Sequence, residues 1–405
     1  MNSGKSELNN FQSAYSITQN NSTYRNSSPN ATDIYSVQTD ITKNLKSTWE
    51  LRTGLKFVAT ERDNVLLNEN FISGSWVYNP ILSNQFLYNE YLSMAYASAS
   101  RAFGKTSFKL GLRAEHTRMI GNSVTSGQTF KRNYLALFPS LFITRKMGDK
   151  EENAVYFSYS RRIQRPAFSI LNPYRVQFDD YLAQLGNPDL LPEYTHKLEL
   201  GSVLYKGITV DTYLAITTDR IGQLANPTNK AIEYQPRNFS SSTDYGMNIY
   251  APVKITSSWN TSSSFSLFNS SYRLEDFQIR QTTFNFRTQH YFSFKDIIDL
   301  ETALDYGSPY VAANTRYAYR LYTDLGVSKR FLDKKLQLRL YAGDLFNTSR
   351  EKDVTEYSGT RIDFYQKRPT RVYSLSLTYN FSAGKKFSTK QIEQSNEEER
   401  RRIGN

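Results

Sequence analysis

Cysteine is absent from the 405 residues, which excludes disulfides and thiolate metal centres and leaves the redox compartment undecided. Equally missing is any run of about 18 uncharged apolar residues, so no helix of this chain is apolar enough to cross a bilayer. The opening Met1-Asn2-Ser3-Gly4-Lys5 has no apolar core and is no secretory signal. Histidine is scarce: His116, His196 and His290 stand far apart. None has the close spacing of a metal motif, so each reads as an interface or lumen residue, and neither a metal nor a cofactor is expected. No Walker loop, Gly-x-Ser-x-Gly elbow or dinucleotide fingerprint occurs; Gly4-Lys5-Ser6 lacks the preceding glycine and strand. With no catalytic residues to assign, the chain reads as something other than an enzyme.

What is present is strand chemistry. Tyr (30) and Phe (25) are abundant, Ser, Thr and Asn recur throughout, and Ala-rich or Leu-rich helical stretches are missing. The formal charge of +12 reads as Lys and Arg solvated by water. Nucleic acid is not an expected partner, because the aromatics follow strand alternation instead of clustering with the basic residues. A mean hydropathy of -0.58 is compatible with membrane residence in a barrel, where only every second residue of a strand meets lipid.

Alternation is the decisive pattern. Trp49, Leu51, Thr53, Leu55, Phe57 and Ala59 fall on one face, and Glu50, Arg52, Gly54, Lys56 and Thr60 on the other. Phe108, Leu110, Leu112 and Ala114 likewise oppose Lys109, Gly111, Arg113 and Glu115. One face suits lipid and the other water, which assigns Glu50, Arg52, Lys56, Lys109, Arg113 and Glu115 to the lumen. Strands are expected at 9–19, 33–42, 48–62, 85–101, 106–119, 132–146, 152–164, 193–205, 208–219, 241–251, 258–274, 280–294, 297–307, 314–331, 335–346 and 361–381. Their connections alternate: short turns near 43–47, 102–105, 147–151, 206–207, 252–257, 295–296 and 332–335, and longer Ser/Asn/Pro-rich loops at 63–84, 166–192, 220–240 and 347–360 between them. Short periplasmic turns and longer external loops give this parity. The fold class is therefore all-β, an antiparallel up-and-down transmembrane β-barrel of about sixteen strands over residues 1–381. Parity also runs the last strand, with Tyr373, Leu375, Leu377, Tyr379 and Phe381, toward the periplasm, and sets Trp49 and Trp259 in an aromatic girdle there. Residues 382–405 mix Lys385, Lys386, Lys390 and Arg400 to Arg402 with Glu393 and Glu397 to Glu399 and have no apolar face; a solvated periplasmic tail is expected.

The densest motif is Ser160-Arg161-Arg162-Ile163-Gln164-Arg165-Pro166, then Leu171-Asn172-Pro173, then Gly186-Asn187-Pro188-Asp189-Leu190-Leu191-Pro192-Glu193. Pro166 ends strand pairing, and the Asn-Pro steps bend the loop back on itself. Arg161, Arg162 and Arg165 are placed to pair with Asp179, Asp180 and Glu193 across the loop mouth, either as a structural latch or, with Asn187, as contacts to a ligand or plug.

These residues, with Gly111-Leu112-Arg113-Ala114-Glu115, Asp344-Leu345-Phe346-Asn347-Thr348 and Leu375-Ser376-Leu377-Thr378-Tyr379-Asn380-Phe381, resemble the outer-membrane barrels of TonB-dependent receptor-like proteins. The resemblance implies a barrel of about twenty-two strands closed by an amino-terminal plug, with uptake driven by an inner-membrane energy-coupling complex. Against that pattern this sequence shows no plug-like region before its first strand and is about six strands short, so the carboxy-terminal portion of a larger barrel is expected. The expected function is uptake of a bulky nutrient, such as a glycan, peptide or chelated metal, across the bacterial outer membrane. Its partners would be outer-membrane lipid, the plug, the energy-coupling complex and the ligand, with Trp76 among the residues of first contact. A stand-alone passive pore and a surface structural or adhesion barrel are the alternatives.

Overall fold

The computed structural model describes residues 2–5, 24–45, 48–148, 153–179, 182–227, 232–274, 277–294, 297–357, 359–381 and 402. Strands dominate, and sixteen follow one another in a single antiparallel meander. They are β1 Asn2–Lys5, β2 Asn30–Leu45, β3 Trp49–Ile72, β4 Asn84–Phe103, β5 Thr106–Ser123, β6 Gln128–Met147, β7 Asn153–Gln164 and β8 Glu193–Leu204. The second half comprises β9 Ile208–Pro227, β10 Ile232–Thr256, β11 Trp259–Leu274, β12 Phe277–Phe294, β13 Ile298–Gly307, β14 Arg320–Phe331, β15 Leu336–Gly343 and β16 Val372–Tyr379. Each hydrogen-bonds the next in order from β1 to β16. The expected strand 9–19 lies outside the described residues; Asn2–Lys5 pairs with Asp33–Ser36 instead.

Register carries the two-faced pattern across the sheet. Ile41 faces Thr53, Thr53 faces Ala97, and Ala97 faces Leu112, so a row on one strand continues as the same row on the next. The outward residues are bare: Leu55, Phe57, Leu110, Leu112, Leu135, Leu200 and Leu340 are all exposed. Val58, Leu92 and Ile34 pack together on the inner face, with Met94 against them. So many large apolar side chains left without protein cover form a band that only acyl chains can satisfy. At the short-turn end Trp49 lies beneath the Arg101 guanidinium at 5.4 Å, and Trp259 stacks on Phe292 with centroids 5.3 Å apart. Connections of two to five residues suffice there; Gly104 takes a φ of 55° in the two-residue turn between β4 and β5, a conformation glycine adopts without penalty.

At the opposite end the strands outrun expectation. β3 continues to Ile72, and Arg220–Pro227 of β9 pairs with Ile232–Phe239 of β10, where 63–84 and 220–240 read as loops in the sequence. There the strands no longer divide lipid from water: Leu224 and Phe239 are buried in a cluster with Tyr272, Ile279 and Val311, so the alternation disappears while backbone pairing goes on. Short strands at Tyr24–Ser27 and Ser75–Tyr78 extend β3 outward, and Tyr310–Ala312, Thr315–Tyr317, Glu351–Tyr357 and Thr360–Gln366 make a separate four-stranded sheet. Among the described residues the sheet does not close: β16 pairs only with β15, and β2 pairs only with β1 and β3.

Candidate functional site

Toward its external end the inner face of the sheet is covered in part by the chain itself. The described residues of segment 165–192 (165–179 and 182–192) turn inward after β7 and make a single helical turn, Phe168–Leu171. Phe168, Leu171 and Leu190 are buried against Phe86, Tyr88 and Met119 of the inner wall. These six apolar side chains anchor the fold-in. Gly186 and Asn187 fix its return. A Cβ at Gly186 would overlap the Asn172 carbonyl oxygen, and the Asn187 amide N–H donates to the Ile170 carbonyl at 2.7 Å. Gly186→Ala is expected to cost about 1–3 kcal/mol, since the overlap is with backbone. The check is the urea midpoint together with protease sensitivity of 165–192, which should both change.

Polar side chains fasten the segment to the wall. Asn84 donates to Asn172 Oδ1 at 2.9 Å, and Asn172 Nδ2 donates to Asn64 Oδ1 at 3.2 Å. Burial pushes the Tyr174 hydroxyl up to about 12, so it stays protonated at any physiological pH. Arg165 is almost wholly enclosed. Its Nη2 donates to Glu115 Oε2 at 2.5 Å and to Thr117 Oγ1 at 3.2 Å, while Arg113 Nε reaches the other Glu115 oxygen at 2.5 Å. Beside this cluster the Tyr88 hydroxyl donates to Glu90 Oε2 at 2.8 Å, and Arg402 grips both oxygens of Glu90 at 2.5 and 3.0 Å.

Beneath the fold-in lies a cavity of about 1140 Å³ whose lining includes Arg52, Lys109, Arg113, Arg161, Arg162, Arg165 and Arg402 and no carboxylate. Unlike charge nearby is supplied from behind, by Glu50 to Arg52 at 2.6 Å and by Glu115 and Glu90. A space rimmed this way attracts anions.

The structure separates several residues that the sequence grouped. Arg161 donates to the Leu137 carbonyl at 2.8 Å and lies 4.6 Å over Tyr194; Arg162 is exposed to the cavity. Glu193 accepts from the Ile221 amide at 2.9 Å and sits 3.8 Å from Arg220. The expected pairing of Arg165 with loop acids is thus replaced by a wall partner, Glu115, because the segment tucks into the barrel instead of arching over its mouth. Asp180 and the side chain of Asp179 lie outside the described residues. Asn187 serves as a clamp, donating to the Pro236 carbonyl at 3.0 Å and accepting from the Asp189 amide at 2.9 Å. Trp76 stands on an outer hairpin, 5.1 Å from Phe71 with Arg25 4.6 Å over its ring. Glu50, Arg52, Lys109, Arg113 and Glu115 share the inner face, and Lys56 lies opposite Met94 in the same register. Of the tail, only Arg402 is described, and it is buried rather than solvated. Glu90 was legible in principle: Phe86, Tyr88, Glu90 and Leu92 form an inward apolar row with one carboxylate, which demands a partner. Among the described residues no group of three or more His, Asp or Glu is arranged to hold a metal ion.

The late Asp344 motif closes the last external connection. Its carboxylate accepts from the Thr348 amide at 2.8 Å, the Ser349 amide at 3.2 Å and the Thr370 hydroxyl at 2.5 Å. Burial draws this carboxyl up, but the hydroxyl, the two amides and the Lys367 ammonium together hold it below its usual range. The ionised form therefore stabilises the loop above the unfolded value of about 4, and this contribution is lost as pH falls through the lower folded value. Protease susceptibility of 344–371 should rise below about pH 4, and Asp344→Asn should abolish that step.

A profile of the outer membrane protein beta-barrel family matches residues 1–379. The chain belongs to that family. No protein of curated function matches it in sequence. Among solved structures it is similar to the ferric yersiniabactin uptake receptor FyuA from Yersinia pestis, at 13% identity and a TM-score of 0.61, covering 89% of this chain and 56% of the receptor. The copper transporter OprC (13%, TM-score 0.64, 89% and 61%) and the ferric citrate transporter FecA in its unliganded form (13%, TM-score 0.62, 89% and 57%) are similar too. The chain spans little more than half the length of these relatives. The expected outer-membrane barrel family, the all-β up-and-down fold and the bacterial outer-membrane location are borne out, and the likeness to the receptor barrels is one of fold. These three neighbours are an uptake receptor and two transporters.

Proposed function

We infer that this chain is the carboxy-terminal part of a larger outer-membrane receptor barrel that takes up a bulky nutrient, with the cavity beneath segment 165–192 on the guest's route. The cationic lining carries the reading. Its arginines and Lys109 suit a guest bearing carboxylate or phosphate groups, whether on a glycan, a peptide or a metal chelate. Among the described residues two sheet edges are unpaired, which favours further strands over closure by these sixteen alone, since an edge left open within a bilayer leaves backbone groups unsatisfied. A plug and an inner-membrane energy-coupling complex are the partners this reading requires. The test is uptake in cells whose parent gene lacks the region encoding β3 to β12. Loss of uptake of an anionic nutrient with retained outer-membrane insertion supports the reading; unchanged uptake of every nutrient the intact gene supports would refute it.

A further inference from the structure

Glu90 is a buried carboxylate facing the lumen, 2% exposed, in a row of apolar neighbours. Left alone there it would be a costly charge. Four features around it select one kind of partner. Both carboxylate oxygens are filled in parallel by Nη1 and Nη2 of Arg402, the fork-to-fork geometry of a guanidinium. The Pro166 carbonyl accepts from Nε and Nη2 of the same group at 3.4 and 3.3 Å. The Phe168 ring lies 4.4 Å from the guanidinium carbon, where its face attracts a planar cation. The Tyr88 hydroxyl donates to Oε2 and holds the carboxylate in place. An ammonium ion, with one point charge and no plane, cannot use all four.

We propose that this pocket is a guanidinium socket and that its occupant is Arg402 of the chain's own carboxy-terminal tail, which is thereby anchored in the lumen at the roof of the cationic cavity. Reach is ample. Arg402 follows Tyr379 by 23 residues, and an extended chain of that length spans about 75 Å. Charge also fits, for Arg400, Arg401 and Arg402 stand together three residues before the end of the sequence and the socket is the inward-facing acid. The inference goes beyond the uptake reading and stands whether or not a nutrient passes.

Trypsin provides the test, because it must seat the Arg402 side chain in its own pocket to cut after it. The full chain in micelles would be digested and the release of residues 403–405 followed by mass spectrometry, for wild type, Glu90→Gln and Arg402→Lys. The bond after position 402 is expected to be cut at least tenfold more slowly in wild type than in Glu90→Gln. Arg402→Lys leaves the barrel wall untouched, so it answers even if Glu90→Gln misfolds. Its bond should also be cut several-fold faster than the wild-type bond, although trypsin prefers arginine. Equal or slower cleavage in Arg402→Lys, or equal rates in wild type and a folded Glu90→Gln, would overturn the proposal.

Discussion

Replacing Glu115 by alanine is expected to destabilise the chain by about 3–5 kcal/mol, the cost of stranding one member of a buried ion pair. Side chains of Glu115 and Arg165 are each only 1% exposed, and they meet at 2.5 Å. With the carboxylate gone, the Arg165 charge stays enclosed, because its position is dictated by Pro166 and the buried Phe168 just beyond it. Arg113 loses the same partner but reaches water, at 41% exposure, and adds little. The contrast is the Arg52–Glu50 pair, whose side chains are 55% and 38% exposed; Arg52→Ala should cost less than about 1 kcal/mol. Urea unfolding in lipid vesicles, followed by tryptophan fluorescence, measures both. Similar losses for the two variants would show that Glu115 is not held in a dry site.

Leu55→Arg is the second large effect, at about 2–4 kcal/mol, because a charge is placed against acyl chains near mid-membrane. Leu55 is 65% exposed and lies between Thr39 and Ala95 in the outward row. Its neighbour Lys56 points the other way, so Lys56→Arg should be mild. Folding into bilayers separates the two. If both variants folded with equal stability, the assignment of faces would be wrong.

The staves of the barrel were readable because alternation is a physical record of two solvents: Leu51, Leu55 and Phe57 against Arg52 and Lys56 admit one orientation. That record stops where lipid stops. Beyond Arg62 the strand runs Asp63, Asn64, Val65, Leu66, Leu67, Asn68 and Glu69, packed on the chain's own segments instead of lipid, so its continuation to Ile72 could not be read from polarity. The inward fold of 165–192 was only half legible. Pro166, Asn172 and Pro173 announce turns, and Phe168, Leu171 and Leu190 are apolar residues in a supposed surface loop, which hints at burial without saying where. Partner choice was out of reach, since Arg165 and Glu115 are 50 residues apart and meet only through the register of three strands. Arg402 was hidden for a similar reason. A run of mixed charges reads as solvated unless a lone inward acid, here Glu90, is recognised as incomplete.

The wall is not equally strong all the way round. β5 and β6 are laced along Thr106–Ser123, yet β6 and β7 are joined only through Ser140–Met147. Over the outer half of β6, segment 186–190 substitutes for a stave, with Arg132 donating to the Pro188 carbonyl at 3.2 Å. A seam closed by side chains and turns yields sooner than one zipped by backbone, so this flank bulges more readily at the outer half of β6 than along β5.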